Sequence, residues 1–298
     1  MRDPQPPPAI TIAVPVYNGA AFLAQALDNL RQQTFRDFHV MVFDNASTDD
    51  TAEIAGRFVN DDSRFSYHRQ SQNIRAVPNF QAALRAADSP YFLWRAVDDL
   101  SDLNYLDVLH GLLQSHPDAD LAVGLVASQF DGKPVREYRM PGLRGDHGLG
   151  DQYRLLFGAH PSWIYGLFRT AALKPVVERI TSHFADDSRS WDNLSLLPFM
   201  LDFRIVATDQ TAFHQLIRSR PVRFGEVRAP LVEQDFEQCL EHRREFARIG
   251  RSFIDERCAP GLRRLAGHIL LWLYTNKNAY KFKHVARRTL RKWVGLRP

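Results

Sequence analysis

The chain has 298 residues, 45% of them apolar and 24% charged, with a formal net charge of +4; it can bury a sizeable core. Two cysteines, Cys239 and Cys258, exclude a disulfide framework, have no metal-ligand spacing and imply a reducing cytoplasm. The longest apolar run, residues 269–274, falls far short of the roughly 20 that span a bilayer, and Met1-Arg2-Asp3 before the prolines through Pro8 reads as an extended lead-in, not a signal peptide.

From there the pattern alternates strand and helix. Ile10, Ile12, Val14 and Val16 read as a buried strand, and Asn18 as the N-cap of a helix in which Phe22, Leu23, Ala26, Leu27 and Leu30 recur. The next strand, 39–43, delivers Asp44 to the carboxyl edge of a parallel sheet, where open α/β sheets bind ligands. An acid there, followed by a Ser/Thr/Asp loop opening another helix, suits a nucleoside. A helix over 50–60, a strand over 65–69, a helix over 77–87 and a strand over 91–95 come next. Asp98-Asp99 follows, then a helix over 103–115 and a strand over 121–128 with a turn at Gly132-Lys133-Pro134. Residues 140–150, with Pro141 and four glycines, read as an irregular loop. A strand over 162–168 and a helix over 193–200 precede a pattern that is helical from about Leu231. This order gives an α/β domain over 1–228, with a donor half at about 9–100 and an acceptor half at 101–228. A basic helical segment occupies 229–298.

Charge separates the two parts. From Arg257 onward there are eleven Lys/Arg and no Asp/Glu, against 27 Lys/Arg and 34 Asp/Glu before it. Leu262, Leu265, Ala266, Ile269, Leu270 and Leu273 recur at helical spacing, as do Phe282, Val285, Ala286, Leu290 and Trp293. Lys281, Lys283, Arg287, Arg288, Arg291 and Lys292 surround the second stripe. Two readings stand: a peripheral helix on anionic lipid, or a helix packed on the domain with a solvated basic face.

Pro15-Val16-Tyr17-Asn18, then Asp44-Asn45 with Ser47-Thr48-Asp49, then Asp98-Asp99, resemble the N-terminal signature of family 2 glycosyltransferases. The resemblance covers about the first third of the chain and extends loosely to Asp192. It implies the GT-A fold, a mostly parallel central sheet flanked by helices, with a C-terminal helical extension. It also implies a nucleoside-diphosphate sugar donor, an inverting mechanism and Mg²⁺ or Mn²⁺. Tyr91-Phe92-Leu93-Trp94-Arg95-Ala96-Val97-Asp98-Asp99 resembles a subgroup without the acid that usually stands at Ala96. Asn73-Ile74-Arg75-Ala76-Val77-Pro78-Asn79-Phe80 is similar to a segment in which glycine often holds the Arg75 position.

The chemistry distributes over these residues. Asp44 can accept from a uracil or thymine N3–H or a ribose hydroxyl, Tyr17 can lie against the base, and backbone near Pro15 can meet its edge. By resemblance Asp44 and Asn73 hold the nucleoside, and Asn18 joins that group. Asp99 is assigned to the metal and Asp98 to sugar or ribose, since paired carboxylates at a strand end suit a hard cation bridging a diphosphate. Arg75 offers the diphosphate a cation. The general base comes from Asp186, Asp187 or Asp192. Asp192, immediately before an apolar helix where the family commonly places its base, is preferred, and capping that helix is its alternative role. Trp163, Tyr165 and Trp191 offer a sugar-stacking wall or plain core, and His214 a metal or phosphate contact or neither.

The expectation is a cytoplasmic or peripherally membrane-attached hexosyltransferase. It moves sugar from a UDP- or dTDP-sugar to a saccharide or lipid-linked acceptor in surface glycan synthesis. A homodimer stays open, and no nucleic-acid fold is present. The rival is a catalytically silent relative, a nucleotide-binding or scaffold protein held to membrane by its basic tail. The first strand has no G-x-G-x-x-G after it, which excludes a dinucleotide fingerprint.

Overall fold

The first apolar run forms β1 (Ile10–Val16), whose seven residues are all buried, as a parallel strand covered on both faces requires. β2 (Phe38–Asp44) lies parallel to β1, and its register sets Val16 beside Asp44. β3 (Phe65–Arg69) pairs parallel to β2, and β4 (Tyr91–Trp94) parallel to the other side of β1. Helices α1 (Ala20–Arg31), α2 (Thr51–Asp61) and α3 (Ala76–Arg85) make the crossovers that parallel neighbours need. The structure is a computed structural model and describes residues 7–131, 133–184, 190–217 and 236–279.

Beyond β4 the sheet becomes mixed. β5 (Leu100–Ser101) and α4 (Tyr105–Ser115) lead into β6 (Leu121–Phe130), which carries β7 (Lys133–Tyr138) on one edge. Next come α5 (Leu149–Gly158), a 3₁₀ turn at Pro161–Tyr165, β8 (Leu167–Arg169), α6 (Thr170–Phe184), α7 (Trp191–Leu201) and β9 (Ile205–Ile217). The strand order is β3-β2-β1-β4-β8-β6-β9-β5, with β7 on β6. β8 is antiparallel to both β4 and β6, while β9 is parallel to β6 and antiparallel to β5. The result is the mixed α/β sheet flanked by helices that the GT-A expectation describes.

Several local readings change. Asn18 has φ 52° and does not cap α1; Gly19 holds the N-cap position, and the Asn18 carboxamide turns to the loop after β2. Lys133 and Pro134 belong to β7, and the chain reverses at Asp131 in a left-handed conformation. Residues 162–168 form a 3₁₀ turn before only three residues of strand. Within 140–150 the irregular path ends at Leu149, where α5 starts, and Asp151 anchors it by accepting from the N–H groups of Arg144 and Gly145, both at 2.8 Å.

Two long helices, α8 (Phe236–Arg257) and α9 (Leu262–Asn278), lie against the body. Phe246, Ile249, Phe253, Leu271 and Tyr274 join the common core, and Arg257 pairs with Asp202 of α7's end at 2.7 Å. A Cβ on Gly250 would meet Leu271 Cδ1 at 2.5 Å, so this glycine sets how closely α9 approaches α8. The stripe legible in the sequence is not the one that packs. Gly267, Leu271, Tyr274 and Thr275 face inward, and Leu262, Leu265 and Ile269 face out. The second basic pattern, Phe282 to Trp293, lies outside the described residues, as do Asp186 and Asp187.

Candidate functional site

Two adjoining cavities open at the carboxyl ends of β1, β2 and β4, and Ala76 and Phe80 belong to both. The smaller, about 160 Å³, has Pro15, Tyr17, Asn45, Asn73 and Asn79 in its walls. The larger, about 360 Å³, gathers Asp98 and Asp99 from the end of β4, Tyr165 from the 3₁₀ turn, Trp191 and Asp192 from α7, and Gln215 from β9.

In the smaller cavity the Tyr17 ring is 46% exposed, available to lie against a planar ligand. Asn45, nearly buried, braces the opposite wall. Its Nδ2 donates to Asn73 Oδ1 at 3.0 Å and to the Arg75 carbonyl at 3.1 Å, and its Oδ1 accepts from Ile74 N–H at 2.9 Å. Arg75 itself has φ 71° and ψ 169°, backbone geometry that essentially only glycine adopts without strain. The chain keeps the turn of a glycine while carrying an arginine.

Two residues expected in this cavity lie beneath it. Asp44 is fully buried; its Oδ1 accepts from Ser47 N–H at 2.8 Å. Its Oδ2 accepts from Tyr67 O–H at 2.5 Å and from Arg69 Nη1 at 3.0 Å. The carboxylate is therefore already neutralised by Arg69, and it holds the loop that a nucleoside would rest on. Asn18 likewise serves that loop: Oδ1 accepts from Thr48 N–H at 2.7 Å, and its own N–H donates to Ser47 Oγ at 2.8 Å.

In the larger cavity, Asp99 Oδ1 accepts from Leu216 N–H of β9 at 2.8 Å, so the loop between β4 and β5 is tied to a strand from the second half. Behind it lies Arg95, fully buried, with Nη2 donating to Ser101 Oγ at 2.8 Å. Its guanidinium stands 5.5 Å from the Tyr105 ring and 5.4 Å from that of Phe213. Burial pulls the Arg95 pKa below the usual arginine value, with the charge on Asp99 opposing. His214, read as an extra metal or phosphate ligand, points elsewhere: its Nε2 is 2.7 Å from Asp102 Oδ1, and its neighbour Gln215 is the residue in the cavity wall.

Asp192 occupies the first turn of α7, but the N-cap position belongs to Ser190, so Asp192 is not the cap. Its Oδ1 accepts from the N–H and the Nδ2 of Asn193, at 2.8 and 3.0 Å. Burial raises its pKa above that of an ordinary aspartate, and those two hydrogen bonds only partly offset the rise. Of the aromatic trio, Tyr165 and Trp191 reach the cavity, while Trp163 is core. In the sequence Asn45 and Phe80 stand only as members of the quoted motifs, with no role assigned, and Gln215 is not singled out. Phe80 packs edge-on to Trp191 at 5.6 Å and so links the two cavities.

Comparisons with known proteins bear on the family and the fold. Residues 11–177 match Glycosyl transferase family 2, and the chain belongs to that family. Glycosyltransferase GlyG of Streptococcus pneumoniae is 26% identical over 115 residues, 39% of this chain and 38% of GlyG. The chain thus spans less than half the length of that relative. Residues 1–349 of S. aureus TarS in complex with UDP-GlcNAc superpose with a TM-score of 0.64 at 19% identity, over 90% of this chain and 71% of that fragment. A mannosyltransferase from Pyrobaculum calidifontis in complex with GDP-Man and Mn²⁺ gives a TM-score of 0.55 at 16% identity, over 99% and 78%. These likenesses place the fold among GT-A structures.

Proposed function

We propose that the chain transfers a sugar from a UDP- or dTDP-sugar to a saccharide or lipid-linked saccharide acceptor in surface glycan synthesis, inverting the anomeric centre. The observation that carries this reading is that the strand-end carboxylates Asp98 and Asp99 and the helix-borne Asp192 line one cavity, which adjoins a second with Tyr17 in its wall. The nucleoside lies in the smaller cavity, with Tyr17 against the base, backbone near Pro15 at its edge, and Asn73 with Asn45 at its polar rim. Asp44, fully buried, presents no exposed oxygen to a base N3–H, so its first contribution is to hold the Ser47 turn.

The diphosphate passes Ala76 toward Asp98 and Asp99, with Arg75 at hand as a cation. Asp99 offers hard carboxylate oxygen, which fits Mg²⁺ or Mn²⁺, and Asp98 contacts sugar or ribose. Among the described residues no group of three His, Cys, Asp or Glu assembles. Asp99 would therefore hold such an ion with few other protein ligands among the described residues. When bound, the ion stabilises charge on the departing nucleotide. The nucleotide sugars named for TarS and for the archaeal mannosyltransferase, and the Mn²⁺ of the latter, support this assignment on the shared fold.

Asp192 takes the proton of the acceptor hydroxyl. The acceptor oxygen bonds to the anomeric carbon from the face opposite the nucleotide as the bond to the phosphate oxygen breaks. Tyr165 and Trp191 confine the sugar between them. A raised carboxyl pKa makes a stronger base once ionised, which suits this step. A thermal-shift panel of nucleotide sugars, with and without Mn²⁺, tests the reading. At a hundred times its dissociation constant the right donor stabilises by about 2.7 kcal/mol, and a panel with no shift contradicts it.

A further inference from the structure

The outer face of α9 is apolar and uncovered by any described residue. Leu262, Leu265, Ile269 and Trp272 stand 85%, 57%, 55% and 65% exposed, at spacings of three, four and three that align them along one side of the helix. Their burial is not needed to seat the helix, because the opposite face already packs on α8. Where the two helices meet, Trp272 borders a groove of about 250 Å³ that holds Arg243, Arg244, Arg251 and His268 and no acid. Of the acids on α8, Glu245 pairs with Arg248 and Glu256 with Arg179, Asp255 holds Arg264 and the groove's own His268, and Glu241 does not line the groove. Arg244 and Arg251 have no ion pair among the described residues. An exposed apolar ridge beside a cationic groove is the composition of an interfacial helix.

From these observations we propose that the α8–α9 face docks on an anionic lipid surface, with Trp272, Ile269 and Leu265 entering the headgroup boundary and Arg244 and Arg251 meeting lipid phosphates. Charge complementarity selects this occupant. The 280–298 segment brings Lys281, Lys283, Arg287, Arg288, Arg291, Lys292 and Arg297 but no acid, so it cannot neutralise the groove; the 218–235 segment carries Glu226, Glu233 and Asp235, and its occupancy of the groove is an outcome the vesicle test reads as failure to bind. A second copy seated two-fold on this face sets the same cations against themselves. No described helix is long and apolar enough to cross a membrane, so contact through this face is at the surface. The inference does not depend on the sugar-transfer reading.

Co-sedimentation of the full chain with phosphatidylcholine vesicles, with and without phosphatidylglycerol, tests it. Wild type is expected to bind the phosphatidylglycerol vesicles, release at high salt and ignore pure phosphatidylcholine. Two double variants, Leu265→Asp with Ile269→Asp and Arg244→Glu with Arg251→Glu, are each expected to bind at least about tenfold more weakly. All four positions lie outside the buried core, and a circular dichroism melt on each variant checks that the fold is kept. Binding that survives both variants places the contact on another segment and overturns the proposal. So does a wild-type dimer that Ile269→Asp converts to monomer, or wild type that fails to bind the anionic vesicles.

Discussion

Asp192 illustrates how a single position acquires a role from its surroundings. As a helix cap it would be ionised and solvated; in the cavity wall, burial holds its pKa up. The protonated carboxyl cannot accept a proton, so kcat/KM is expected to fall as pH drops through a value raised above that of an ordinary aspartate. Asp192→Asn should erase that acidic limb and lower turnover on the order of 10² to 10⁴-fold while leaving donor affinity unchanged. A pH–rate profile with the same limb in both proteins would assign the base elsewhere. Arg75 makes a separate prediction about stability. Its positive φ and extended ψ cost about 1–3 kcal/mol in a residue with a Cβ, so Arg75→Gly should raise the melting temperature. If the side chain contacts diphosphate, the same variant binds donor more weakly, and calorimetry separates the two effects. Asp44→Ala strands the Tyr67 hydroxyl, Arg69 and the Ser47 N–H together. A loss of about 1–3 kcal/mol in unfolding free energy is expected in denaturant titration, beyond any change in nucleotide affinity.

Elements were legible where one pattern dominated. β1 and β2 are short apolar runs bounded by turn residues, and the ends of β1, β2 and β3 fall within a residue of those read from sequence. β9 went unrecognised because its exposure does not alternate: Thr208, Asp209 and Gln210 interrupt the apolar positions, and the register slips where it pairs with β6. That miss removed Gln215 from the candidate site. Asp44 was placed correctly at its strand end, but the sequence does not show that Arg69, the last residue of β3, reaches its carboxylate. On α9 both faces carry apolar residues, so periodicity alone chose the outer one; the glycine contact at Gly250 decided which face packs. The same reasoning yields a test. At Gly166, between the 3₁₀ turn and β8, a Cβ would lie 2.5 Å from the Ala122 carbonyl oxygen, a backbone atom that cannot simply turn away. Gly166→Ala should therefore destabilise the protein by about 1–3 kcal/mol, read as a lower denaturant midpoint.

At the scale of the whole molecule, the sheet divides the labour. The parallel strands β3-β2-β1-β4 end at the smaller cavity and at Asp98 and Asp99, whereas the mixed strands and α7 bring Tyr165, Gln215 and Asp192 to the other side. The bond from Asp99 to Leu216 N–H joins the two halves at the point where a sugar would change hands. Arg95, buried behind Asp99, adds a fixed positive charge that the sequence displayed without hinting at its depth. The most direct measurement is release of nucleoside diphosphate from a panel of UDP- and dTDP-sugars by the purified chain, wild type beside Asp192→Asn, with donor binding measured on both. The account predicts that one donor is turned over by wild type, and that the variant binds it equally well yet releases at least a hundredfold less product. Turnover unchanged in the variant, or a panel in which no nucleotide sugar binds, would contradict it.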